Sequence, residues 1–224
     1  MSENISDCKE IVMMKYLISC GINPNSYDIN GNTPIMSIIN SNKCKKKMIQ
    51  LISLLINHSN INAINYYNQT VFTLCAKRYL KDESYFDIFI LLMKSKMSLI
   101  NLNHVDNHGD TPFNLVCATN YKSTPVLIKF MLKYCQVNVN LPDKYEVTPL
   151  MNQCYFGNKY VCKLLIRHGA NVNDYDNRGS NALMRATISG NTELINYLIK
   201  KGASINSTDD SGHNCLIYAM DIDY

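Results

Sequence analysis

The sequence lacks most of the features that mark an enzyme, a secreted protein or a membrane protein. No apolar run approaches the roughly 18–20 residues needed to span a bilayer. The N-terminal stretch carries Glu3 and Asp7 where a signal peptide would carry bases. The nine cysteines are odd in number and include no Cys-x-x-Cys pair, which points to reduced thiols rather than to disulfides or a metal site. There is no nucleophile elbow, no glycine-rich phosphate loop and no pair of carboxylates in a shared context. Of the five histidines, His58, His104, His108, His168 and His213, no two stand at metal-ligand spacing on one helix. Arginine is scarce, occurring only at 78, 167, 178 and 185, while Lys, Asn and Ile abound; this is the bias of AT-rich coding. With 22 Lys plus Arg against 18 Asp plus Glu, the formal charge of +4 is too weak to indicate nucleic acid by itself. These absences leave a non-catalytic protein, expected to be a monomer without cofactor, metal or membrane partner. Its expected location is intracellular and cytoplasmic, with the nucleus left open.

What the chain does have is a pattern written twice. Asp143, followed by Thr148-Pro149-Leu150-Met151, Gly157-Asn158, Leu164-Leu165-Ile166 and Gly169-Ala170-Asn171-Val172-Asn173, returns at Asp176. The second copy reads Asn181-Ala182-Leu183-Met184, Gly190-Asn191, Leu198-Ile199 and Gly202-Ala203-Ser204-Ile205-Asn206. Asp143, Asp176 and Asp209 stand 33 residues apart, a period that signals stacked supersecondary units. Asp-x-x-Gly reads as a tight turn needing positive φ. Thr-Pro reads as a helix start, the hydroxyl capping and the proline preorganised at the first helical position. The Leu-Leu-Ile run reads as a second, more apolar helix stopped by Gly169 or Gly202.

This pattern resembles the ankyrin repeat, which reads Asp-x-x-Gly-x-Thr-Pro-Leu-His, then Gly, Leu-Leu and Gly-Ala-Asp-Val-Asn. The resemblance implies an all-α, ankyrin-repeat solenoid of helix-turn-helix units with protruding turn tips. The frame extends to five repeats, 28–64, 65–105, 106–142, 143–175 and 176–208, forming one continuous array. Residues 1–27 form an N-terminal half-repeat, with a second-type helix over 9–18, and 209–224 a C-terminal half-repeat. Repeat two is the most degenerate, with Asn68 at the turn glycine and Val71 at the proline. Extra residues fall between the helices of repeats one to three, and a few more after Leu91 and Leu92. A helix is expected from Ser123-Thr124-Pro125 to about Cys135. Glu146 occupies a turn glycine position, which is unfavourable if φ there is positive. Met36, Thr73, Asn114, Met151, Met184 and Ile217 replace the family's His, so its inter-repeat hydrogen bonds are expected to be missing. Cys75, Cys117 and Cys154 stand in for small Ala as buried hydrophobes. His58 and His168 fall at the ends of second helices, where they could bond free carbonyls.

The resemblance also implies function: one or more protein partners bound through the concave tips and the exposed side of the first helices. Counting from the repeat-opening residue, the candidate partner-binding positions are Tyr66, Tyr67, Lys77, Arg78, His108, Lys144, Tyr145, Tyr155, Phe156, Tyr175 and Arg178. Aromatic and Arg anchors concentrate binding energy at interfaces. The style of the repeats is that of ankyrin proteins of large DNA viruses with AT-rich genomes, which implies host proteins as partners. Loop asparagines Asn173 and Asn206 lie where the family can be hydroxylated. Two alternatives stay open. A basic edge of Lys43, Lys45, Lys46 and Lys47, taken as an inter-helix loop, could meet an acidic partner or nucleic acid. A fragment of a longer ankyrin protein, with no partner of its own, would be loosest in repeats one and two.

Overall fold

The computed structural model describes residues 2–95 and 100–220, with side chains from residue 9. Two compact units emerge, Met1–Asn107 and His108–Tyr224. The first holds α1 (Ser2–Ser19), α2 (Pro34–Asn40), α3 (Lys45–Leu55), α4 (Val71–Tyr79), a short 3-10 turn (Glu83–Tyr85) and α5 (Phe86–Ser95). The second holds α6 (Pro112–Cys117), α7 (Thr124–Tyr134), α8 (Pro149–Tyr155), α9 (Lys159–Arg167), α10 (Ala182–Ile188), α11 (Thr192–Lys200) and α12 (Cys215–Met220). Among the described residues there is no strand, only an isolated bridge between Tyr175 and Asn181. Helix α1 begins at Ser2, seven residues before the helix expected over 9–18. Of the extra residues expected after Leu91 and Leu92, 96–99 lie outside the described residues, as do 221–224 of the last half-repeat.

Short first helices and longer second helices alternate, and each unit buries the apolar faces between them. In the first unit α2 packs on α3 and α4, and α4 on α5. Ile35, Met36, Ile39, Met48, Ile52, Phe72 and Phe89 are fully buried there, with the Phe72 and Phe89 rings 6.1 Å apart and tilted. In the second unit α8 packs on α9 and α10, and α10 on α11 and α12. Cys75, Cys117 and Cys154 are fully buried, and every described cysteine is a free thiol. Burial pushes the Cys75, Cys117 and Cys154 thiols well up, so they stay protonated and serve as small apolar fillers.

The helix starts follow the sequence with two corrections, at Thr33 and at Ser123, the residue before α7, whose side chain makes no cap bond. Thr70, Thr111 and Thr148 accept from the amides of Thr73, Asn114 and Met151 at 3.2, 3.1 and 3.3 Å. Asn158, Asn181 and Asn191 do the same for Val161, Met184 and Leu194. Thr33 makes no such bond although it precedes Pro34; its buried hydroxyl has no partner. At the other end of α9, His168 Nδ1 lies 2.8 Å from the Leu164 carbonyl, where such a group was expected.

The loss of the family histidine is less complete than the residues suggested. Asn114 takes over its bonding: Asn114 Nδ2 donates to the Val147 carbonyl at 2.9 Å, and its Oδ1 accepts from Asn152 Nδ2 at 3.0 Å. The buried Gln153 adds bonds from Nε2 to the carbonyls of Cys117 and Thr119, at 2.7 and 3.2 Å. On the loop side an asparagine grips the next helix end. Asn140 donates to the Gly169 carbonyl and accepts from the Asn171 amide. Asn173 repeats both bonds with Gly202 and Ser204, at 3.0 and 2.9 Å.

Among the described residues, two other than glycine have positive φ, Asn68 at 57° and Glu146 at 60°. Asn tolerates this conformation; Glu is strained by about 1–2 kcal/mol. Glu146→Gly relieves that strain, less the entropy glycine loses on folding, so we expect a gain of about 0.5–1 kcal/mol in urea unfolding. An unchanged or lower midpoint would show that the Glu146 backbone carries no strain.

Candidate protein-binding face

Five of the tips are built from one short side chain each. Asp28 Oδ1 accepts from the amides of Asn30 and Asn32, both at 2.8 Å. Asn65 bonds the amides of Tyr67 and Gln69, Asp143 those of Tyr145 and Val147, and Asp176 those of Arg178 and Ser180. Asp209 bonds those of Ser211 and His213. One oxygen thus folds the chain two and four residues on, which is why a short acceptor opens each repeat. Within each unit the folded tips are then stitched backbone to backbone. In the first unit, Tyr66 N donates to Asn30 O at 3.1 Å and Asn107 N to Tyr67 O at 3.2 Å. In the second, Asn177 N donates to Tyr145 O and Asp210 N to Arg178 O, both at 3.0 Å. The approach is close: a Cβ on Gly31, whose φ is 74°, would stand 2.8 Å from the Tyr66 ring and 2.9 Å from its amide nitrogen.

Side chains nine residues beyond the turn return to the same carboxylate. Ser37 reaches Asp28, Arg185 Nη2 lies 2.6 Å from Asp176 Oδ2, and Tyr218 Oη lies 2.5 Å from Asp209 Oδ2. Arg185 and Tyr218 were not among the expected site residues; the recurring spacing of nine is the signal that would have found them. Asp28 is held below the usual carboxylate range, chiefly by the Asn32 amide, and Asp209 chiefly by the Tyr218 hydroxyl.

The expected site residues divide by what they touch. Tyr66, Tyr67, Tyr145 and Tyr155 are 73%, 54%, 53% and 51% exposed, so these aromatics face solvent. Lys144 Nζ lies 4.8 Å from the Tyr145 ring centre, and the Tyr155 and Phe156 rings meet edge to face at 5.6 Å. His108 and Arg178 are exposed. Tyr175 is exposed too, its hydroxyl 2.8 Å from Ser207 Oγ. Lys77 and Arg78 are engaged within the first unit. Lys77 Nζ lies 2.6 Å from the carboxylate of Asp106, whose side chain is fully buried, and Arg78 Nη2 bonds the Asn40 carbonyl at 2.6 Å. Tyr66 and Tyr67 belong to the first unit; Tyr145, Tyr155 and Phe156 belong to the second.

The basic edge differs from its expected form. Lys45, Lys46 and Lys47 are not an inter-helix loop but the first turn of α3. Cations there oppose the helix dipole, and carboxylates brought in by neighbouring elements offset them. Lys43 and Lys47 both reach Glu10 at 3.2 Å; Lys45 pairs with Asp82 at 3.2 Å and lies 3.3 Å from the centre of the Tyr85 ring. Lys47 first, and then Lys43, hold Glu10 below its usual range. Among the described residues no group of three or more His, Cys, Asp or Glu could hold a metal ion, and no helix is long and apolar enough to cross a membrane.

A family model described as ankyrin repeats, three copies, matches residues 82–176 and 115–209, more than half of the chain. The chain belongs to the ankyrin-repeat family. It is 37% identical over 84 residues to the ankyrin repeat protein R664 of Acanthamoeba polyphaga mimivirus, a match covering 36% of this chain and 51% of that protein. It is 32% identical over 135 residues to the ankyrin repeat protein OPG189 of Variola virus, covering 58% of this chain and 23% of that protein. The matches thus span about half of the first relative's length and less than a quarter of the second's. Among solved structures, the ankyrin repeat domain of Bcl-3, a member of the IkappaB family, superposes with a TM-score of 0.65 at 20% identity. That match covers 93% of this chain and 87% of that one. The ankyrin repeat protein EF0377 gives 0.66 at 17% identity, covering 87% and 92%. Ankyrin repeats are in general protein–protein interaction modules and typically non-enzymatic scaffolds.

Two measurements check the tip architecture. Lys77→Met leaves the buried Asp106 carboxylate without its ammonium, and we expect a loss of about 2–3 kcal/mol in urea unfolding. The lowered pKa values of Asp28 and Asp209 contribute stability that is present above the unfolded value of about 4. That stability is lost as pH falls through the folded values. Melting followed by circular dichroism is therefore expected to be level from pH 7 to about 5 and to fall below pH 4; a level profile down to pH 3 would contradict this.

Proposed function

We propose that this chain binds a host-cell protein through its tip face. Tyr66 and Tyr67 supply anchors on the first unit, and Tyr145, Tyr155 and Phe156 supply them on the second. The observation that carries this reading is the exposure of Tyr66, Tyr67 and Tyr145 on turns whose backbone is already held by the Asp or Asn side chain and by the neighbouring tip; Tyr155, exposed, and Phe156, half-buried, stand beside them at the end of α8. An anchor on such a frame loses little conformational entropy on binding, so more of its contact energy appears as affinity. His108, Lys144, Tyr175 and Arg178 supply polar contacts around these anchors. The host-directed part of the reading draws on the mimivirus and Variola relatives, and with it goes an expected site of action inside the infected cell.

The basic-edge reading is the weaker of the two. Three of its four lysines are paired with Glu10 or Asp82, and a paired ammonium has less charge to offer a phosphate. The test is an affinity capture from host-cell lysate with wild type beside Tyr67→Ala/Tyr145→Ala, with mass spectrometry of retained proteins and circular dichroism of both baits. Tyr66 is left intact because its ring packs on Gly31. A protein held by wild type and bound at least about tenfold more weakly by the folded variant is the expected outcome. Equal retention would remove the tips from the site.

A further inference from the structure

We propose that the cavity closing the second unit accepts an arginine side chain of the bound protein. This inference rests on the protein-binding reading and adds the chemistry that one part of the partner must carry. The cavity encloses about 520 Å³ between the tips of Asp176 and Asp209, with Tyr155, Ile188 and Tyr218 among its walls. Its charges do not cancel. Asp176 is paired with Arg185 at 2.6 Å. Among the described residues, neither Asp209 nor Asp210 has an ammonium or guanidinium within ion-pair distance. Arg178 is the remaining fixed cation, and it also borders a second cavity of about 280 Å³ beside Tyr145.

Two carboxylates against one shared guanidinium disfavour an anionic occupant and favour a cation. Asp209 is held in place by two amides and the Tyr218 hydroxyl, whereas the Asp210 side chain is exposed and is not used by the turn. The aromatic walls argue for a guanidinium in particular. Its planar face can lie on Tyr155 or Tyr218, whereas its edge presents a fork of N–H donors suited to a carboxylate. The rim of tips leaves the cavity open to an extended segment crossing Arg178, with the arginine pointing toward Asp210.

The probe is N-acetyl-arginine amide, titrated into the ¹⁵N-labelled full chain and followed by amide chemical shifts, beside its neutral isostere N-acetyl-citrulline amide. Saturable shifts at the Arg178, Ser211 and His213 amides with arginine but not citrulline are expected. Binding should be about fivefold weaker in Asp210→Asn and weaker again at high salt. Equal binding of citrulline, unchanged affinity in Asp210→Asn, or no saturable shift would overturn the proposal. The same variant separates this inference from the reading beneath it. If the captured host protein is lost with Tyr67→Ala/Tyr145→Ala yet held equally by wild type and Asp210→Asn, the arginine site fails and the tip face stands.

Discussion

A single side-chain oxygen at the head of the turn, seen at Asp28, Asn65, Asp143, Asp176 and Asp209, governs the architecture of both units. By accepting two amides, two and four residues on, it converts a stretch that would otherwise wander into a closed tip. The closed tip then presents its own amide and carbonyl to the neighbouring tip. Asn65 does this as well as Asp28, Asp143, Asp176 or Asp209, because the bond needs a short acceptor and not a charge. The charge has a separate use. It draws back a side chain from the following first helix, Arg185 onto Asp176 and Tyr218 onto Asp209, and so ties the tip to the helix it precedes.

Electrostatics inside the first unit follow from a helix that starts badly. Three successive lysines open α3, where the dipole favours anions. Glu10 on α1 and Asp82 before the 3-10 turn supply the missing negative charge, to Lys47 and Lys45, each across 37 residues of chain. What reads as a basic patch in sequence is therefore largely consumed in joining α1 and the loop after α4 to α3. Lys77, from the last turn of α4, pairs with the buried carboxylate of Asp106.

These commitments decide which polar and aromatic groups are left for a partner. The tip tyrosines face outward because their backbones are engaged in the stitching while their rings point away from it. Tyr66 is a partial exception, since its ring also covers Gly31. Membership of the ankyrin-repeat family, whose repeats are in general protein–protein interaction modules, agrees with this division.

The all-α repeat, the turns and most of the helix caps were legible in the residues alone, because each of these is a local interaction between residues a few positions apart; the early start of α1 at Ser2 and the opening of α3 at Lys45 were not. The turn acceptors, the Thr-Pro starts, the helix from Thr124 to Tyr134 and the positive φ at Asn68 and Glu146 were all legible for that reason. Tertiary structure decided what depends on groups a full repeat away. Asn114 replaces the missing histidine only because Val147 and Asn152 lie opposite it. Thr33 fails to cap even though its local sequence is right. Lys77 and Arg78 turn inward to Asp106 and Asn40, and the lysine run finds Glu10 and Asp82. The cavity beside Asp210 exists only where a tip from one repeat faces the first helix of another. A period of 33 announces that such neighbours will meet, but which charge faces which is set by packing.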